Sequence, residues 1–370
     1  MDEWNLRRLL IFLTIAIYSA MVLSGCGGNS NSGNNSVPFS ALTSSDGTGS
    51  AARFHSPSSI TSDGANLYVV DTSSNTIRRV VIETGAVTTL AGTTGKSGST
   101  DGTGVAALFN SPYGITTDGT NLYVADTGND TIRKVVIASG VVTTLAGTVG
   151  SSGSTDGTGT SAKFYYPFGI TTDGTNLYVA DKNNNTIRKV EITTGAVTTL
   201  AGTAGSSGST DGTGTAAKFY YPFGITTDGT NLYVVDTSNN TIRKVVIATG
   251  VVTTLAGTAG TIGSTDGTAS AAHFHSPASI TTDGTNLYVT DSLNNTIRKV
   301  VIATAVVTTL AGTAGTGGST DGIGSAALFN SPYGIMIEGT NLYVADKNNN
   351  IIRKVVIETA LVATLAGRAP

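Results

Sequence analysis

Short apolar runs of four to six residues recur along residues 46–370, each rich in β-branched or aromatic side chains and each bounded by Gly, Asn or Asp. In one stretch, Gly224-Ile-Thr-Thr227 precedes an Asp228-Gly229 turn, and Leu232-Tyr-Val-Val235 follows it. A polar Asp236–Asn240 turn comes next, then Ile242–Ile247, a Thr249-Gly250 turn, and Val251–Leu255. Turn residues at these offsets between β-formers predict antiparallel hairpins. LYVVD and RKVVI are apolar at consecutive positions, so these strands are expected to be buried on both faces. No helical period appears beyond the N-terminus.

The pattern repeats. Asp46, Asp101, Asp156, Asp211, Asp266 and Asp321 open six nearly superimposable units spaced 55 residues apart. Self-similarity of this length predicts an array of supersecondary units. Four antiparallel strands per unit make a propeller blade, so the fold class expected is all-β, a six-bladed β-propeller of four-stranded antiparallel blades. Closure into a ring also removes most free strand edges. The runs are too short for a transmembrane barrel and lack its alternating faces. A parallel β-helix is the other repeat architecture to weigh, but its coils are much shorter than this unit.

The string P-x-G-I-x-x-D-G-x-N-L-Y-V-A-D-x-x-N-x-x-I-R-K resembles the NHL repeat, and the preceding G-x-x-G-x-x-D-G-x-G-x-x-A-x-F-x-x-P stretch is similar to the long linker of that family. The resemblance covers residues 46–370. It implies a six-bladed propeller used as an interaction module. Some members bind RNA, and related six-bladed propellers include lyases and lactonases, so the fold alone does not choose a function.

The N-terminus adds an address. Arg7 and Arg8 precede an apolar stretch from Leu9 to Val22, and Leu23-Ser-Gly-Cys26 follows. A basic start, a short apolar core and small residues before a cleavage point describe a signal peptide over residues 1–25. Leu23–Cys26 resembles a bacterial lipobox, which implies diacylglycerol on Cys26 and an acyl chain, typically palmitate, on the new amino terminus. Several acyl chains make attachment durable where one is marginal. Residues 26–36, the lipidated cysteine and a Gly/Asn/Ser run, are expected to form a flexible tether, with the propeller over 37–370. Localisation is thus expected at the cell envelope. Cys26 is the single cysteine, so no intramolecular disulfide forms. Phe39–Leu42 resembles a shortened fourth strand, and it and Leu361–Leu365 compete for the closing position.

Charge narrows the partners. Net charge is −3 and charged residues are only 12% of the chain, too little basic surface to attract a nucleic-acid backbone. Eighteen of the 24 acidic residues sit at three repeated positions: the linker Asp, the Asp-Gly turn (Glu338 in the last unit), and the Asp ending the second strand. The last of these, Asp71, Asp126, Asp181, Asp236, Asp291 and Asp346, precede Arg78, Arg133, Arg188, Arg243, Arg298 and Arg353 by seven residues. Each Asp is expected to bond its turn backbone or its own Arg, a structural role. The remaining acids form no pair suited to general acid–base work. The three histidines give no metal set, although His55 and His275 share one repeat position. The channel is expected to be lined by Thr and Ser. No catalysis, no cofactor and no metal are therefore expected. The alternative is a propeller lyase or hydrolase with a channel-bound metal.

What breaks the repeat is most informative. Units three and four carry Tyr165-Tyr166-Pro-Phe168 and Tyr220-Tyr221-Pro-Phe223, while units two and six carry Tyr113 and Tyr333 after the same proline. Lys182 and Lys347 replace the usual Thr or Ser in the Asp-x-x-Asn-Asn turns. The linker and that turn are expected on one propeller face, with the aromatics of units three and four meeting in one sector. Aromatic rings beside lysines suit a protein or glycan partner. The competing reading has the tyrosines packing the linkers onto the blades. The expected whole is a monomeric, membrane-tethered, extracytoplasmic binding or scaffold propeller.

Overall fold

The computed structural model describes residues 44–370, which form six antiparallel sheets, one per sequence unit. In blade 1 the innermost strand is Pro57–Ser62, followed outward by Asn66–Asp71, Thr76–Val81 and Ala86–Ala91. These are the four strands expected. A fifth, the two-residue strand Gly47–Thr48, pairs with Val87 and Ala86 and makes each blade five-stranded. The four-stranded expectation fell short here because a Gly-Thr pair in a glycine-rich linker carries no apolar signal. Its register lies entirely in its backbone.

The second strand is buried on both faces, Leu67 through Asp71 without exception. Successive blades therefore share cores. Tyr68, Val70 and Ile77 of blade 1 pack with Phe109, Leu122 and Val124 of the second unit. The last such core joins Phe54, Val69 and Val80 to Tyr343, Ala345 and Ile352, which closes the ring. The sixth blade takes its own fourth strand, Leu361–Gly367. Phe39–Leu42 lies outside the described residues, as do Cys26 and the segments expected to form a signal peptide and a tether. Among the described residues no helix is long and apolar enough to cross a membrane.

The repeated charges hold each linker to its blade. Arg133 is fully buried and donates to Asp126 at 2.8 Å, to Asp101 at 2.7 Å and to the Leu108 carbonyl at 3.0 Å. Its guanidinium lies 5.3 Å from the Phe109 ring centroid. Asp126 also accepts from the Asn110 N–H and the Asn129 amide. A buried charge is tolerated only when paired and bonded in this way. The same Arg–Asp pairs recur in all six blades, so the structural role expected for these residues is the one observed.

The innermost strands line the axis. Thr61, Thr116, Thr171, Thr226 and Thr281 face a central cavity of about 150 Å³, with Met336 in the sixth position. That is the hydroxyl lining expected from the sequence.

Candidate functional site: an aromatic mouth at one end of the channel

A proline opens the innermost strand in five blades and precedes it by three residues in blade 2, and the residue after that proline stands at one end of the channel. Four blades place an aromatic there: Tyr113, Phe168, Phe223 and Tyr333. Blades 1 and 5 place Ser58 and Ala278 instead. The four rings touch around the axis. Tyr113 stacks on Phe168 at 4.0 Å between centroids, and Phe168 meets Phe223 at 4.4 Å. Tyr333 approaches Tyr113 at 5.8 Å and Phe223 at 6.3 Å, across the positions of the two small residues. The cluster thus spans the channel mouth across blades 2, 3, 4 and 6, which corrects the expectation of one sector formed by units three and four. The innermost strands converge on the axis, so residues from non-adjacent blades come within ring contact.

The following residue explains how the rings fit. Every aromatic is followed by glycine (Gly114, Gly169, Gly224, Gly334), and each small residue by serine (Ser59, Ser279). A Cβ on Gly169 would lie 2.1 Å from the Phe223 carbonyl oxygen. In blade 5, by contrast, Ser279 pairs with Thr290 and its N–H bonds the Thr290 hydroxyl. The signal was in the sequence as an alternation of P-aromatic-G and P-small-S, but reading the aromatics alone missed it.

Two lysines cap the rings. In blades 1, 2 and 4 the first residue of the hairpin turn is a threonine whose hydroxyl donates to the next blade's proline carbonyl: Thr72 to Pro112, Thr127 to Pro167, Thr237 to Pro277. Lys182 and Lys347 occupy this position in blades 3 and 6 and reach over the mouth instead. Lys182 Nζ lies 4.6 Å from the Phe168 centroid, 4.9 Å from Phe223 and 5.4 Å from Tyr221. Lys347 Nζ lies 4.2 Å from the Tyr333 centroid and donates to the Tyr113 hydroxyl at 2.9 Å. Ammonium groups on aromatic faces gain about 0.5–2 kcal/mol each. Burial, and then the charge of Lys347, pull the Lys182 amine below its ordinary value. Burial, with the neighbouring Tyr113 hydroxyl, pushes the Tyr333 phenol well up.

The remaining tyrosines lie outside the central cluster. Tyr165 and Tyr166 meet edge to face at 6.1 Å, and Tyr220 and Tyr221 meet at 5.0 Å with their planes tilted by 36°. All four are partly exposed, Tyr166 by 44% and Tyr221 by 38%. Tyr221 joins the mouth through Lys182, whereas Tyr165 and Tyr166 stay apart as a pair. Tyr166 and Tyr221 hold left-handed backbone, φ 55° and 49°, a conformation costing a non-glycine residue about 1 kcal/mol. Their N–H groups are held by Asp130 and Asn185 of the preceding blade. Among the described residues no three His, Cys, Asp or Glu side chains stand together to hold a metal ion.

No protein-family model matches the chain. Human NHL repeat-containing protein 2 is 31% identical over 305 residues, covering 72% of this chain and 42% of that protein. Sequence and fold together support the NHL β-propeller family. The chain spans less than half the length of this relative. Among solved structures, a Bacteroides thetaiotaomicron protein of unknown function superposes with a TM-score of 0.65 at 22% identity, over 84% of this chain and 72% of that one. An auxiliary nutrient binding protein of the same organism gives 0.62 at 18%, over 85% and 70%. At these identities the solved structures speak to the fold alone.

Proposed function

We propose that the chain is a binding propeller without catalytic activity, monomeric, held at the cell envelope through a lipid on Cys26, and presenting its aromatic mouth to a glycan or protein. One observation carries this reading. Six of the residues that break the six-fold repeat, Tyr113, Phe168, Lys182, Phe223, Tyr333 and Lys347, converge on a single end of the channel. A scaffold needs no such exception, because three blades of the six already show the hairpin position bonding the next blade without lysine. The channel behind the mouth offers threonine hydroxyls, which suit hydrogen bonding and supply no general acid or base. A fold neighbour named for nutrient binding agrees with a binding role at the level of architecture.

The test is binding of the whole chain to glycan and peptide arrays, beside a Tyr333→Ala/Lys347→Ala variant of matched thermal stability. Capture that disappears in the variant supports the mouth. Capture that is unchanged overturns it. The anchor has its own test: labelled palmitate should enter the wild-type protein and not Cys26→Ala.

A further inference from the structure

The aromatic ring is interrupted twice, and the two gaps are not alike. At blade 1 the opening beside Ser58 is bridged by Lys347, which reaches from Tyr333 to the Tyr113 hydroxyl. At blade 5 no lysine bridges it, and the Ser292 and Ser331 hydroxyls bond to each other along its wall. Ala278 leaves a recess of about 210 Å³ beside Phe223 and Tyr333, whose ring centroids stand 6.3 Å apart, lined also by Thr237, Ser276, Ser292 and Ser331. Leu293 belongs to the same wall and is 52% exposed, where other blades carry Ser, Gly or Asn. The recess therefore combines two aromatic rings, one exposed aliphatic side chain and a set of hydroxyls. Its volume suits a monosaccharide-sized group and is below that of drug-sized pockets, which run to about 300 Å³ or more.

Charge completes the picture. Every ion pair among the described residues joins an Arg to an Asp, and neither lysine belongs to one. Each ring bordering the recess carries one of these ammonium groups, Lys182 over Phe223 and Lys347 over Tyr333. Two like charges held close on a protein of negative net charge repel each other, and an anion between them relieves that repulsion.

We infer that the blade 5 recess binds an acidic sugar, a pyranose bearing a carboxylate, with its ring against Phe223 and Tyr333 and its charge toward Lys182 and Lys347. This rests on the mouth being a binding site and names the ligand class. Sugar hydroxyls are both donors and acceptors, as are the serines and threonines of the wall, so their bonds can be exchanged without orphaning a partner. A bare carboxylate would use the lysines and leave the recess empty.

Galacturonate, galactose and citrate, each titrated calorimetrically into the whole chain at low salt, separate the contributions. Galacturonate should bind at least tenfold more tightly than galactose, with affinity falling as salt rises. The variant Ala278→Phe/Ser279→Gly restores the aromatic–glycine pair present in blades 2, 3, 4 and 6, so it fills the recess with a sequence this fold already accepts. It should weaken galacturonate at least tenfold while leaving thermal stability within a few degrees. Lys182→Ala/Lys347→Ala should remove the preference for galacturonate over galactose. Citrate binding as tightly as galacturonate, unaffected by filling the recess, would overturn the sugar assignment in favour of a simple anion site. If none of the three binds but array ligands are still captured through Tyr333 and Lys347, the acidic-sugar inference fails and the mouth stands. If array capture ignores those residues as well, both fail.

Discussion

The side-chain oxygen of Asn350, near the end of the chain, accepts the backbone N–H of Ser56, 294 residues earlier, at 2.8 Å. The same bond recurs at every blade junction, from Asn75 to Ser111 and from Asn295 to Ser331. At five junctions the covalent chain accompanies it. At the sixth, blade 6 to blade 1, no covalent link accompanies it, and it acts with the core that Phe54 and Val69 share with Tyr343 and Ile352. The acceptor must also close its own hairpin in left-handed backbone (φ 56° at Asn350), which asparagine tolerates better than other side chains.

Replacing Asn350 therefore separates two contributions. Asn350→Gly keeps the left-handed backbone and loses the acceptor, and should cost about 1 kcal/mol, the net worth of a part-buried hydrogen bond. Asn350→Ala adds backbone strain and should cost about 1 kcal/mol more. Asn350→Asp should be close to neutral, since Asp130 holds the Tyr166 N–H in the same way. Chemical denaturation orders the three. Equal loss in all of them would show that the contact does not close the ring.

The two carboxylates on each arginine should differ sharply in weight. Asp126 is fully buried, whereas Asp101 is about half exposed. Arg133→Ala strands a buried carboxylate and should cost about 3–5 kcal/mol. Asp101→Asn removes only the solvent-screened partner and should cost about 1 kcal/mol or less. Urea midpoints measure both, and comparable losses would contradict the assignment.

Much of this fold was legible in the sequence because each repeat states its needs in polar residues as well as apolar ones. The Asp–Arg spacing of seven is the reach across one hairpin, as Asp126 and Arg133 show. The outer strand was not legible, because Gly102-Thr103 pairs through its backbone and carries no side-chain pattern. For the mouth, the unusual residues were visible one by one. Their meeting was not, since Tyr113 and Tyr333 stand 220 residues apart and only ring closure sets them 5.8 Å from each other. Lys182 and Lys347 were seen as exceptions, yet the bond their threonine counterparts make to the next blade's proline is a matter of geometry.

Below about pH 4, acid should weaken the protein through its turns. Asp118 is partly buried, which raises its pKa, but bonds from the Asn121 side chain and N–H, the Tyr123 hydroxyl and the Thr120 N–H outweigh burial and bring it to about 2. Asp63, Asp173, Asp228 and Asp283 are lowered by the same arrangement. An unfolded aspartate titrates near 3.9, so the native state favours the charged form. Such a group stabilises fully above about pH 4 and loses that contribution as pH falls through about 2. Asp118→Asn should flatten the decline in stability between about pH 4 and 2, measured by denaturant midpoints at each pH. A slope as steep as that of the wild-type protein would show that the turn carboxylate does not control acid unfolding.

The glycine beneath each ring gives the most local test of the mouth. Gly169 sits where the innermost strands of blades 3 and 4 pass closest, and a methyl group there meets the Phe223 carbonyl at 2.1 Å. Backbone cannot move aside as a side-chain tip can, so Gly169→Ala should push the two strands apart at a cost of about 1–3 kcal/mol. Phe168 and Phe223, 4.4 Å apart, would separate with them, and Lys182 would lose at least one of the rings it covers. Ser279→Ala is the matched control, because blade 5 already accommodates a Cβ at that position. Thermal melting together with the near-ultraviolet dichroism of the aromatic cluster reads both effects, and a Gly169→Ala protein with wild-type melting and an unchanged aromatic signal would show that the rings do not depend on that close approach.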